Sequence, residues 1–169
     1  MQNFIEISQR DLSNNVFADI ADKWMLVTAE KDGKVNTMTA SWGGFGHIWH
    51  KDAAFIVIRP QRFTKEFVDF SDNFSLTFFN KSYREKLRYL GVTSGRDEDK
   101  IAKAGLTVIH NGKDPHFAEG ELTIICRKLY KQPLEESAFL DKGIIDAHYP
   151  NKDFHVLYVG EVLKVLKKA

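Results

Sequence analysis

The chain has 169 residues, 43% hydrophobic and 28% charged, enough to bury one substantial core and too few for two, so a single domain over 1–169 is expected. A formal net charge of +1 excludes the broad basic surface that general nucleic-acid binding needs, and any anion site must therefore be local. The single cysteine, Cys126, excludes an intrachain disulfide and a cysteine metal cluster and fits a reducing compartment. The start "MQNFIEISQRD" has no basic and apolar leader pattern, and the longest apolar run, "AAFIVI", is too short to span a bilayer, so a soluble, cytoplasmic chain with no membrane partner is expected.

In chain order, "WMLVTAE" (24–30) is apolar and rich in strand formers, and "KDGK" supplies the turn that joins it to "VNTMTASW" as a hairpin. "AAFIVI" reads as a buried strand stopped at Arg59–Pro60. In "RFTKEFVDFSDN", Phe63, Phe67 and Phe70 recur at i, i+4 and i+7, predicting a short helix with three rings turned to the core. "FSLTFF" alternates as a strand, and "YREKLRYLG" returns to helical spacing through Tyr83, Leu87 and Leu90, ending at Gly91. Ser94, three residues before Asp97, is spaced to cap a helix running to about Gly105. "LTVIH", "GELTIICRKLYKQPL" and "FHVLYVGEVLKVLKK" complete the strands. Hairpin strands interrupted by short helices predict a mainly β protein with a barrel core, not a doubly wound parallel sheet.

Three constellations carry candidate chemistry. Arg59, Arg62 and Thr64 gather at a helix start, where a capping hydroxyl, free amides and two guanidinium groups would suit a phosphate; the bland alternative is a capped helix with solvated arginines. In "NTMTASWGGFG" (36–46), Thr37, Thr39 and Ser41 share a strand face that could read the polar edge of a planar heterocycle, with Trp42 as an aromatic wall. Glycines 43, 44 and 46 would admit a ligand close to the backbone, or equally form a bulge or loop. In "SGRDEDK", Ser94, Arg96 and Lys100 stand near another helix start, with surface charge and capping as the competing explanation.

The order and spacing of "NTMTASWG", "RPQRFT", "SGRDEDK" and "FHVLYVGEV" resemble the flavin reductase-like domains of the FMN-binding split-barrel class, flavoredoxins included, over most of the chain. The resemblance implies a split β-barrel of Greek-key type, a homodimer and non-covalently bound FMN. It implies that Asn36, Thr37, Met38, Thr39, Ala40, Ser41 and Trp42 run along the flavin ring. Arg59, Arg62 and Thr64 would hold its phosphate, Ser94 and Lys100 would form the second side of the pocket, and His155 would stand near the flavin or nicotinamide in a catalytic position. The implied activity is an oxidoreductase passing electrons from NADH or NADPH to flavin or a protein acceptor. The competing readings are a flavoredoxin-type carrier reduced by a partner protein, and a flavin-free ligand-binding barrel, against which Arg59, Thr64 and Lys100 argue.

No metal is expected. His47 and His50 lie in a glycine-rich segment without helix signal or a carboxylate at ligand spacing, and loop histidines account for them and for His110, His116 and His148. Cys126 is expected as a small apolar filler on a strand. The phenylalanines at 63, 67, 70, 74, 78 and 79 are spaced as core residues and not as a nucleic-acid stacking surface.

Overall fold

The computed structural model describes residues 4–13 and 15–169; Met1–Asn3, the head of the start read above as leaderless, lie outside it. A short strand β1 (Phe4–Ile7) leads to the one-turn helix α1 (Val16–Ala18), capped by the Asn15 side chain. β2 (Met25–Lys31) and β3 (Lys34–Ala40) form the expected hairpin. It turns on Asp32 and Gly33, both left-handed at φ 50° and 72°, the geometry whose twist matches the flanking strands.

The glycine-rich stretch weighed above as a bulge or loop is instead a strand, β4 (Gly43–Ile48), paired with β5 (Lys51–Ile58). Glycine is needed at its start: Gly43 has φ 151°, and a Cβ there would lie 2.4 Å from the Phe55 carbonyl oxygen. His47 therefore sits on a strand, and only His50 lies in the hairpin turn.

Helix α2 (Phe63–Phe70) begins two residues earlier than a Thr64 cap would place it. Arg62 is the cap residue and makes no side-chain capping bond, while Thr64 is buried inside the first turn. Phe67 enters the core and Phe63 packs at its edge, but Phe70, where the chain turns away into Ser71, is 58% exposed beneath the Lys31 ammonium. β6 (Asn73–Phe78) and α3 (Arg84–Val92) follow. Helix α4 (Lys100–Lys103) is shorter than expected and is capped by Asp99, whose carboxylate accepts from Ala102 N at 3.1 Å. Ser94 only closes a turn, accepting from Arg96 N. β7 (Val108–Asn111) pairs with β8 (Asp114–Phe117), a strand lying within a segment that reads as a connection. β9 (Leu122–Pro133), α5 (Gly143–His148) and β10 (Val156–Lys168) complete the chain.

The main sheet has eight strands in the order β3-β2-β6-β9-β10-β5-β4, with β1 added on β10, and every pairing is antiparallel. Its two ends, β3 and β4, are consecutive in sequence and joined only by Ser41 and Trp42, a path of at most about 11 Å between their terminal Cα atoms. The sheet must therefore curl until its ends nearly meet, yet β3 and β4 share no ladder, which leaves the barrel split along that seam. Register shifts in the β9–β10 ladder at Val159/Gly160 and Val162/Lys164 are the irregularities that let long strands bend around such a barrel.

One core fills the barrel, with Met25, Val27, Met38, Ile56, Phe74, Ile124 and Tyr158 packed beneath Phe67 and Val68 of α2. A second cluster, including Leu26, Leu87, Leu90 and Phe117, lies outside the barrel wall beneath α3. Gly160 packs against the Phe74 ring and Cys126, and a Cβ there would come within 2.7 Å of the ring. Replacing Gly160→Ala is expected to lower stability by about 1–3 kcal/mol through overpacking, measured by urea unfolding.

Candidate functional site

The seam between β3 and β4 opens into a cleft. One cavity of about 230 Å³ is lined by Met38, Thr39, Ala40, Ser41, Trp42, Val57, Arg59, Arg62 and His155. A second, of about 310 Å³, shares Met38, Arg59 and Arg62 with it and continues past Thr64 to Thr93, Ser94, Gly95 and Lys100. The β5–β10 register pairs Ile58 with Val156, which puts Arg59 and His155 side by side at the same end of the barrel. Segments that are far apart in sequence thus converge because three loops leave one end of one sheet.

The three cations of the cleft are held differently. Arg59 is already paired: its guanidinium donates to the Asp153 carboxylate at 2.5 Å and to the His148 carbonyl at 2.8 Å, and lies over the Tyr149 ring. Arg62 donates to the Gly91 carbonyl at 2.5 Å, and Lys100 to the carbonyls of Leu90 and Thr93 at 2.9 and 2.8 Å. Among the described residues neither Arg62 nor Lys100 has a carboxylate within salt-bridge reach. Burial, then the nearby Arg62 charge, pulls the Lys100 ammonium down to about 8; burial, then Arg59, lowers Arg62 also. Two cations thus line one cavity without counter-charge in a chain whose net charge is nearly zero, which makes that cavity the candidate for an anion.

His155 is buried, with its Nδ1 2.8 Å from the Tyr149 hydroxyl and its ring 5.0 Å from that of Trp42. Trp42 also packs edge-on against His148. Burial, followed by the Arg59 charge, pushes the His155 imidazole down to about 4, so it is neutral at pH 7. The sequence carries no signal of the Tyr149 contact, because it forms only when the segment from α5 to β10 folds back over six residues. Phe139, Tyr149 and Phe154 stack behind it.

The remaining candidates divide by the alternation of β3. Met38 and Ala40 face the barrel, whereas Thr37 and Thr39 face α3. The Thr37 hydroxyl donates to the Val27 carbonyl at 3.0 Å and meets Thr28, and the Thr39 hydroxyl donates to the Leu87 carbonyl at 2.6 Å. Those two hydroxyls therefore fasten strands and helix, while Thr39 still lines the cleft and Ser41 stands at it beyond the strand end. Asn36 is buried, donates to Thr64 Oγ1 at 3.0 Å and abuts Gly95 from the side away from the first cavity. Gly95 and Thr93 are cleft residues missed in the sequence reading, although Gly95 lies inside the quoted "SGR".

Among the described residues no group of three or more His, Cys, Asp and Glu is arranged to hold a metal, and His47 is instead 2.9 Å from Asp52. Cys126 is fully buried, its thiol pushed upward by desolvation. No helix among the described residues is long and apolar enough to cross a membrane.

A mainly antiparallel barrel split along one seam, with a cleft at the seam, places the fold among the split barrels. The family model for the flavin reductase like domain matches residues 17–168, and the chain belongs to that family. Its fold is similar to an FMN-binding domain of a flavin reductase-like enzyme from Shewanella baltica, with 17% identity, a TM-score of 0.72, and coverage of 99% of this chain and 78% of that one. A flavoredoxin from Methanosarcina acetivorans is 21% identical at a TM-score of 0.68, covering 96% and 76%. An NADH:FAD oxidoreductase from Streptomyces globisporus is 12% identical at 0.67, covering 89% and 78%. At these identities the likeness is one of fold. No curated protein sequence matches the chain.

The His155 shift has a sign that can be checked. Its folded value, about 4, lies below the ordinary 6.5, so the unfolded chain binds the extra proton and stability falls as pH drops from 6.5 towards 4. Urea unfolding at pH 7 and pH 4.5 is expected to show a smaller loss in His155→Asn than in the unmodified protein.

Proposed function

We propose that the protein binds FMN in the seam cleft and passes electrons from NADH or NADPH to flavin or to a downstream acceptor. One observation carries the reading: Lys100 stands buried and Arg62 half-buried in one cavity without a carboxylate partner, as a site does when the missing charge belongs to a ligand phosphate. The residues present fit the cofactor. Arg62 and Lys100 hold the phosphate, with Arg59, Thr64 and Ser94 around it. Asn36, Thr37, Met38, Thr39, Ala40, Ser41 and Trp42 form the strand and turn beside the ring, Thr37 through its place in the strand.

Bound flavin supplies the hydride and electron chemistry, and the chain supplies orientation and a dry wall. Trp42 shields one side of the cleft, and His155, neutral and fixed by Tyr149, offers an uncharged polar group that can position a nicotinamide or the ring. Hydride transfer requires no further acid or base from these residues. The active unit on this reading is a homodimer, supported by the free edge of β4 and by the exposed rings of Trp42, Trp49 and Tyr130.

The deciding measurement is the visible spectrum of protein mixed with FMN under anaerobic conditions, then given NADH or NADPH, on a sample whose mass by light scattering is expected to equal two chains. Bleaching by either nucleotide is the expected result and names the donor. Flavin that binds and stays oxidised assigns the chain to the carriers that depend on a partner protein, and a spectrum of free FMN sinks the proposal.

Arg62→Gln and Lys100→Met are each expected to weaken FMN about ten- to a hundredfold, the worth of one charge-assisted hydrogen bond. Affinity should also fall as pH rises through about 8, where Lys100 loses its proton, while a phosphate monoester stays a dianion above about pH 7. Fluorescence titration at pH 7.5 and pH 9.5 reads both effects.

A further inference from the structure

At the end of the barrel opposite Arg59 and His155, the start of β5 borders a further cavity of about 380 Å³. Asp52, at its mouth, stands seven positions before Arg59 in extended chain, roughly 23 Å away. None of its lining residues belongs to the seam cleft.

The wall is apolar. Leu12 and Val16, from the segment between β1 and β2, face Phe45, Ile124 and Val162 of the barrel. The register shift at Val162/Lys164 lies in this wall: Val162 and Val165, three apart, both pack on the core, while Leu163 is turned out. Regular alternation forbids that spacing, and bulges of this kind collect at barrel rims and beside functional sites. Close-packed interiors leave few gaps larger than a water molecule, and apolar ones that do occur take apolar molecules in preference to water.

The mouth is polar and its charges cancel. Asp52 accepts from the Arg10 guanidinium at 2.7 Å, and the same oxygen lies 2.9 Å from His47 Nδ1. The His47 hydrogen bond does most to hold the Asp52 carboxyl below its ordinary value. An ionised carboxylate only accepts, so Nδ1 carries the hydrogen, and Nε2 of the neutral ring is an acceptor. Among the described residues that nitrogen has no other partner, and Arg10, with its side chain 70% exposed, keeps N–H groups beyond the one Asp52 takes. A charged head group would find no net counter-charge at this mouth, whereas a hydroxyl can donate to His47 and accept from Arg10.

We infer that this cavity binds a small apolar molecule carrying one uncharged hydroxyl, a phenol or an alcohol, its carbon body against Phe45, Ile124 and Val162 and its hydroxyl between His47 and Arg10.

The test is calorimetry at pH 7.5 of 4-ethylphenol, 1-octanol, ethylbenzene and 4-ethylbenzoate with the whole protein, His47→Leu and Val16→Trp. 4-Ethylphenol or 1-octanol is expected to bind, equally with and without saturating FMN, and the tighter of the two names the class. 4-Ethylphenol should bind about fivefold tighter than ethylbenzene, the worth of one hydrogen bond, and 4-ethylbenzoate should not bind at millimolar concentration. His47→Leu should erase the preference for the hydroxyl and leave ethylbenzene unchanged, a result that general loss of structure would not give. Val16→Trp, which fills the cavity, should abolish binding of all the probes and leave FMN unchanged; if that variant does not fold, His47→Leu decides. Failure of both hydroxyl probes at millimolar concentration, unchanged selectivity in His47→Leu, tighter binding of 4-ethylbenzoate, or displacement of the probes by FMN overturns the site. If FMN does not bind but the probes bind through His47, the flavin reading falls and this site stands.

Discussion

The two-residue connection from β3 to β4 is the constraint on which the rest of the structure depends. Those strands are the two ends of the main sheet, and a linker of Ser41 and Trp42 cannot reach between them unless the sheet curls almost shut. Closure is incomplete because β3 and β4 do not pair. The unpaired seam is then a cleft with strand backbone on both sides, and the loops that follow β5 and precede β10 reach it because those strands pair with each other. Gly43 is part of the same device, since a side chain there would strike Phe55 and push β4 away from β5.

Electrostatics gives the seam its chemistry. Burying a cation without a counter-charge is costly, and most charges of this protein avoid it: Arg59 has Asp153, and Asp69 holds Lys65, Lys131 and the Tyr158 hydroxyl, contacts that keep its carboxyl at about 2 against the cost of burial. Arg62 and Lys100 are bonded only to backbone carbonyls, which stabilise the groups without cancelling their charge. That deficit is the physical basis of the proposed phosphate site. The segment between β9 and β10 has a different part. Through Tyr149 and Asp153 it fixes His155 and Arg59, so one wall of the cleft is set by a segment with no periodic pattern of its own.

Much of this was legible in the sequence, and the losses have specific causes. Continuous apolar runs and alternating residues predicted β2, β3, β5, β6, β9 and β10, since a buried strand shows its burial directly in residue type. β4 was hidden because its glycines signal a turn locally while the sheet uses them for close approach. Thr64 and Ser94 read as caps because hydroxyls commonly are; burial of Thr64 beside Asn36 and the competing Asp99 decided otherwise. Thr37 and Thr39 lie on one strand face as expected, but which face meets the cleft depends on where α3 packs.

The sequence by itself determined that the chain is mainly β, that its strands alternate with short helices, and that Arg59, Arg62, Trp42 and Lys100 belong to a small set of residues worth grouping. These follow from composition, periodicity and the spacing of quoted segments, which are local properties. Only the tertiary structure decided that Arg59 is neutralised while Arg62 and Lys100 are not, that Tyr149 holds His155, and that an apolar cavity lies at the other end of the barrel. Each of those depends on which side chains from distant segments meet within hydrogen-bond distance, and the closing of the sheet around its seam sets those meetings.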